Sequence, residues 1–113
     1  MSVEDARQRL AGHVEAVALE RQFQLDKWGE QSLEFLRGAE DIGTQHNFNI
    51  QLAAYQAIND EAGGGYDWFT VLMEEVYEAF VETDPANQRE ELLQVAAVAL
   101  AIVNDIDKKE EGK

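Results

Sequence analysis

The sequence contains no cysteine and only one proline, and each scarcity excludes a class of protein. Without cysteine there is no disulfide framework, no thiolate zinc site and no cysteine nucleophile. A single proline leaves long segments uninterrupted, which favours helices over a protein of strands and turns. Residues 1–5 lack the basic and apolar stretches of a secretion signal. The longest apolar run, residues 92–103, is shorter than the ~20 residues that span a bilayer. We therefore expect a soluble, cytoplasmic protein without a membrane partner.

Positive charge is also scarce. The chain has 9 basic and 23 acidic residues, for a formal net charge of -14. No lysine or arginine lies between Arg37 and Arg89, although that interval is rich in aspartate and glutamate. Such a chain repels nucleic acid polymers over most of its surface. The acidic residues therefore form either a solvated face or a centre that binds cations.

The length and the hydrophobic content predict one domain over residues 1–113. The chain is too short to divide into two cores, and 45% of its residues are hydrophobic. Capping residues and glycines divide it into four helices, with an all-α fold as the result. The predicted helices cover residues 3–28, 47–62, 68–80 and 85–107, and residues 30–44 form an irregular or weakly helical connection.

The fourth predicted helix indicates self-association. Between residues 92 and 103 only Gln94 is polar. A helix that is apolar on all sides must be covered on all sides, which three short helices of one chain can hardly do. We expect a four-helix bundle whose core is completed by homo-oligomerisation, as a homodimer or a homotetramer.

Carboxylates on the third and fourth helices form the strongest candidate site. Glu74, Glu75 and Glu78 share a helical face by their spacing, and Glu91 and Gln94 repeat the i, i+3 spacing after a short turn. Antiparallel neighbouring helices would set the two groups opposite each other. Oxygen ligands without histidine or cysteine suit Mg²⁺, or Mn²⁺ as a substitute. The alternative is an acidic ladder on the surface, which is common at this spacing.

Two segments together resemble a known family. EEVYE at residues 74–78, followed after twelve residues by ELLQ at 91–94, resembles the ExxE…ExxD motif of the MazG-like, all-alpha NTP pyrophosphatases. ERQFQLDKWGEQ at residues 20–31 is similar to an ERxxQxxKWGxQ stretch of one branch of that family, some members of which are encoded by phages. The resemblance extends over most of the chain, from about residue 20 to residue 105.

The resemblance implies Mg²⁺-dependent hydrolysis of a nucleoside or deoxynucleoside triphosphate to the monophosphate and pyrophosphate. It assigns the metal to Glu75, Glu78, Glu91 and Gln94, of which the three glutamates also belong to the catalytic group. Glu74 joins that group as the carboxylate that positions the attacking water at the α-phosphorus. Gln94 stands where the family has an aspartate, and a neutral amide binds Mg²⁺ more weakly than a carboxylate.

The end of the first helix offers candidate nucleotide-binding residues. Arg21 and Lys27 could bring positive charge to the phosphates of the substrate. Trp28 could stack on the base, and Gln24 could hydrogen-bond its edge. Ordinary core packing is an equal alternative for Trp28.

Two other functions remain open on the sequence. One is a protein of the same fold that binds nucleotide and metal but has lost turnover through Gln94. The other is an acidic interaction protein that binds the nucleic-acid site of a basic partner by mimicking nucleic acid. Mimicry does not explain Glu75 at the margin of an apolar stripe, so the sequence favours a metal site. It leaves the base and sugar preference open.

Overall fold

The computed structural model describes residues 2–38 and 40–113, and its regular elements are four α-helices. They are α1 (Val3–Trp28), α2 (Ile42–Glu61), α3 (Trp68–Val81) and α4 (Pro85–Glu111). The all-α prediction is therefore confirmed, while the arrangement of a MazG-like bundle stays a prediction. Over the described residues, no helix combines the length and the apolar character needed to cross a membrane.

Helix α1 has the bounds that its capping residues predict. The Ser2 side chain accepts a hydrogen bond from the Asp5 backbone N–H at 3.0 Å, and the Asp5 side chain completes a capping box. Gly29 ends the helix with φ at 70°, a conformation that glycine adopts at little cost. Local chemistry alone therefore defines this helix.

Helix α2 begins five residues earlier than the sequence predicts. Asp41 is its N-cap, and the carboxylate accepts hydrogen bonds from the Thr44 backbone N–H at 2.9 Å and from its hydroxyl at 3.2 Å. A satisfied cap offsets the weak helix propensity of Gly43 in the first turn. The predicted irregular connection is accordingly shorter, and Asn47 lies inside the helix.

Helix α4 also extends beyond its predicted end, by four residues. Its first turn follows Asp84, whose side chain accepts from the Asn87 backbone N–H at 3.2 Å. Lys108 and Lys109 lie in the last turn, where positive charge stabilises the carbonyl end of a helix. The charged tail therefore supports the helix end.

By its internal contacts the chain divides into two compact units. The first unit comprises Met1–Glu34 and Leu100–Lys113, and the second unit comprises Phe35–Ala99. Helix α4 contributes its first half to the second unit and its last half to the first. The single domain predicted over residues 1–113 stays a prediction.

Aromatic side chains form the centre of the second unit. The rings of Phe48 and Phe80 lie 5.2 Å apart between centroids, and Tyr55 stacks on Tyr77 at 5.8 Å. Phe35, from the segment before α2, approaches Phe80 at 6.1 Å. Such aromatic pairs stabilise the fold by more than the burial of their apolar area alone. They join α2 to α3 and so set the position of the carboxylates on α3.

The first unit is held largely by polar contacts. Arg9 pairs with Glu111, and His13 donates a hydrogen bond from Nε2 to Asp107 at 2.9 Å. The apolar side chains Leu10, Val14 and Val17 of α1 are half exposed, with Val14 at 49%. Two helices with this little burial cannot form an independent core.

Loss of the α3 cap should lower stability by about 1 kcal/mol, the usual contribution of an aspartate N-cap. The Asp67 carboxylate accepts a hydrogen bond from the Thr70 backbone N–H at 2.8 Å. The same carboxylate oxygen lies 2.9 Å from the Thr70 hydroxyl. Asp67→Ala leaves that N–H without a side-chain partner. Urea unfolding measures the difference, and Asp26→Ala, at an exposed site within α1, is the matched control. Equal stability of Asp67→Ala and the native chain would contradict the assignment.

Candidate metal centre

Three carboxylates of α3 lie together. Glu74, Glu75 and Glu78 each offer one oxygen, and these oxygens all lie within 4.8 Å of one another. The side chains are half-buried because α3 packs its aromatic face against α2 and leaves the carboxylates at the margin. Spacings of three and four residues place them on neighbouring turns. The helical periodicity therefore produces the cluster directly.

The pKa values of this cluster reflect burial and mutual repulsion. Burial raises the pKa of Glu75, and the charges of Glu91 and Glu74 raise it further. Burial, the charge of Glu75 and a hydrogen bond with Glu91 together raise the pKa of Glu78 to about 7. Buried like charges disfavour ionisation unless a proton or a cation compensates. With a pKa of about 7, the Glu78 carboxyl is partly protonated near neutral pH, and a cation would favour its ionised form.

The same interactions place Glu91 of α4 beside the carboxylates of α3. Glu91 acts on Glu78 through both its hydrogen bond and its charge, and on Glu75 through its charge. Residues 82–84 alone separate the end of α3 from the start of α4. Four carboxylates thus converge from two helices of the second unit.

One carboxylate oxygen of the cluster lacks the hydrogen bond that a buried polar atom requires. Oε2 of Glu75 is inaccessible to solvent and has no hydrogen-bond partner among the described residues. A buried carboxylate oxygen without a partner is costly, and a bound cation removes that cost. The ligand chemistry also fits, because hard oxygen donors are those that Mg²⁺ and Mn²⁺ prefer. The residues present therefore suit a hard divalent cation.

Asn59 of α2 also contacts the cluster, and the sequence alone does not predict this role. Its side chain is only 3% exposed and donates from Nδ2 to Oε1 of Glu74 at 2.9 Å. It links the end of α2 with the beginning of α3 and with the cluster. The available signal was its spacing, since Leu52, Tyr55 and Asn59 form one stripe at helical intervals.

Gln94 lies on α4 three residues after Glu91, and its side chain is exposed. Helical spacing puts the two residues on the same side of α4. Its predicted place among the metal ligands stays a prediction. Because the Gln94 side chain is exposed in the single chain, its amide needs no buried hydrogen-bond partner there.

The candidate nucleotide-binding residues of α1 belong to the first unit. Arg21 donates to the side-chain oxygen of Gln24 at 2.6 Å, and Lys27 lies 5.0 Å from the ring centre of Trp28. The Trp28 side chain is 55% exposed, so it is not part of a core formed by this chain alone. These four residues pair among themselves, and their nucleotide contacts stay a prediction.

Comparisons with known proteins add no relative to these observations. No family model matches the chain, and it matches neither a curated protein nor a solved structure. The functional argument therefore depends on the residues and geometry described above.

Proposed function

We propose that this protein is a Mg²⁺-dependent nucleoside triphosphate pyrophosphohydrolase of the MazG-like type. The observation that supports the proposal most is the cluster of Glu74, Glu75 and Glu78 on α3, with Glu91 of α4 hydrogen-bonded to Glu78 and one buried carboxylate oxygen unpartnered. The raised pKa values of Glu75 and Glu78 indicate a site where negative charge is concentrated beyond what protein contacts neutralise.

The negative charge of the protein would repel a triphosphate, so a bound cation is needed to hold such a substrate. The chain has a net charge of -14, and it carries no basic residue between Arg37 and Arg89. Glu75, Glu78 and Glu91 would hold the Mg²⁺, with Gln94 as the fourth proposed ligand. When bound, Mg²⁺ neutralises phosphate charge and polarises the phosphoryl group that is attacked.

Glu74 and the candidate nucleotide-binding residues of α1 have further proposed roles. Glu74, which offers an oxygen within 4.8 Å of those of Glu75 and Glu78, would add its charge to the cation site and orient the water that attacks the α-phosphorus, and the pyrophosphate then leaves. Arg21 and Lys27 contribute positive charge toward the phosphates. Trp28 and Gln24 take the base, the first by stacking and the second by hydrogen bonding. The exposed indole is available for such stacking.

The proposal includes a homo-oligomer in the cytoplasm, either a dimer or a tetramer. Leu92, Leu93 and Val103 of α4 are at least 40% exposed in the isolated chain. On α1 the stripe through Leu10, Val14 and Val17 is similarly exposed. Apolar surface on this scale is typical of a subunit interface, and a second copy would cover it.

A second candidate function follows from Gln94. A glutamine supplies one neutral oxygen and no negative charge, so it holds Mg²⁺ less firmly than aspartate does. A protein of this fold that binds nucleotide and metal without turnover would have this substitution. The same carboxylates would then serve binding alone.

Pyrophosphate release from a panel of NTPs and dNTPs, with and without Mg²⁺, tests the proposal. We expect Mg²⁺-dependent release of pyrophosphate and nucleoside monophosphate in equal amounts. Hydrolysis in ¹⁸O-labelled water should place the label in the monophosphate, because water attacks the α-phosphorus. Binding of nucleotide without any release would favour the second candidate. Release of orthophosphate instead of pyrophosphate would contradict the proposed reaction.

A further inference from the structure

Asn59 has every hydrogen-bonding position of its side chain occupied. Nδ2 donates to the Thr70 backbone oxygen at 3.0 Å and to Glu74 Oε1 at 2.9 Å. Oδ1 accepts from the Tyr66 backbone N–H at 3.0 Å and from the Thr70 hydroxyl at 2.9 Å. An asparagine side chain has two donor hydrogens and room for two acceptor bonds. The group is thus fully satisfied and held in one orientation.

Three of these bonds hold the connection between α2 and α3, but the fourth reaches a carboxylate of the cluster. Glu74 has three side-chain torsions and lies beside the like charges of Glu75 and Glu78. Repulsion alone would turn its carboxylate away toward water. The bond from a buried, immobile amide opposes that movement, and bonds to charged acceptors are the stronger ones.

We infer that Asn59 is a positioning residue, which holds the Glu74 carboxylate toward the same cation that Glu75 and Glu78 bind. The inference rests on the metal site of the proposed function. It adds a contribution from α2 to a site otherwise built from α3 and α4. Groups that orient a ligand in this way typically change metal affinity 10–100-fold when removed.

Mn²⁺ binding, followed by the electron paramagnetic resonance signal of the free ion, tests the inference without requiring turnover. Asn59→Ala should weaken Mn²⁺ binding by about 10–100-fold. The same substitution in a Glu74→Ala background should cause no further loss, because Asn59 acts through Glu74. A double-mutant cycle of this kind separates the pairwise effect from a general one. Equal losses in both backgrounds would overturn the inference.

Stability is controlled separately, because Asn59 is buried and its loss weakens the fold. Asp67→Ala removes a cap of the same connection but leaves the bond from Asn59 to Glu74, so it should retain native Mn²⁺ affinity. Asn59→Ser, whose hydroxyl is too short to replace the amide, serves if Asn59→Ala does not fold. Native affinity in Asn59→Ser, or weakened affinity in Asp67→Ala, contradicts the inference.

The result can be separated from the outcome for catalysis. A native chain that binds Mn²⁺ but releases no pyrophosphate contradicts the proposed reaction, and the cycle still decides the role of Asn59. A native chain that releases pyrophosphate but shows no coupling between Asn59 and Glu74 contradicts the inference alone. Absence of Mn²⁺ binding in the native chain overturns both.

Discussion

Glu78→Gln and Glu75→Gln each lower Mg²⁺-dependent pyrophosphate release by more than about 100-fold while the helices remain intact. Loss of an outer-shell partner costs 10–100-fold, and a direct ligand should cost at least as much. Both side chains lie in the cluster of convergent oxygens, and neither caps a helix. Removal of one carboxylate also removes its electrostatic repulsion of the neighbouring, half-buried carboxylates. Turnover and stability should therefore change in opposite directions.

The measurement is kcat/KM for the best substrate at saturating Mg²⁺, together with far-ultraviolet circular dichroism. Glu90→Gln is the matched control, because Glu90 is adjacent to Glu91 but exposed, and its side chain pairs with Arg89 at 3.6 Å. That variant loses the same charge outside the cluster and should keep native turnover. Native turnover in both Glu75→Gln and Glu78→Gln would exclude the proposed site.

Mg²⁺ affinity should fall by about thirtyfold between pH 8 and pH 5.5. The pKa of Glu78 is raised from 4.5 to about 7, so below neutral pH a cation must displace its proton. Displacing one proton weakens binding about tenfold for each pH unit below that pKa. Calorimetric titration with Mg²⁺ across this range measures the dependence. In Glu78→Gln the residual binding should vary less with pH.

The stability of the metal-free protein should have the opposite pH dependence. The folded state holds the Glu78 proton more tightly than the unfolded chain, where the pKa is near its ordinary value of 4.5. The free energy of unfolding should therefore decrease as pH rises from about 4.5 to about 7. Saturating Mg²⁺ should remove this decrease, because the cation stabilises the ionised carboxylates. A metal-free protein that gains stability over this interval would contradict the pKa of Glu78.

Local chemistry made much of the fold predictable. Ser2, Asp67 and Asp84 begin helices where capping residues are expected, and Gly29 ends one. The spacing of the α3 carboxylates on one helical face likewise follows from the 3.6-residue period. Each of these features depends on residues within one or two turns of each other.

The features that the sequence left unpredicted depend on longer-range packing. Asn59 reaches Tyr66 and Glu74, seven and fifteen residues away, only because α2 packs against α3. The contact between Phe35 and Phe80 likewise joins distant parts of the chain. The early start of α2 is a different case, since the Asp41 cap offsets the weak helix propensity of Gly43 in the first turn. Propensity was outweighed there by the satisfied cap.

The central claim is a metal centre at this cluster, and calorimetric titration with Mg²⁺ at pH 8 tests it most directly. The native chain is compared with the double variant Glu75→Gln, Glu78→Gln. The two substitutions remove the carboxylates with raised pKa values and leave Glu74 and Glu91 in place. We predict saturable binding by the native chain and its loss in the double variant. Equal binding by the two proteins, or no binding by the native chain, would contradict a metal centre at this cluster.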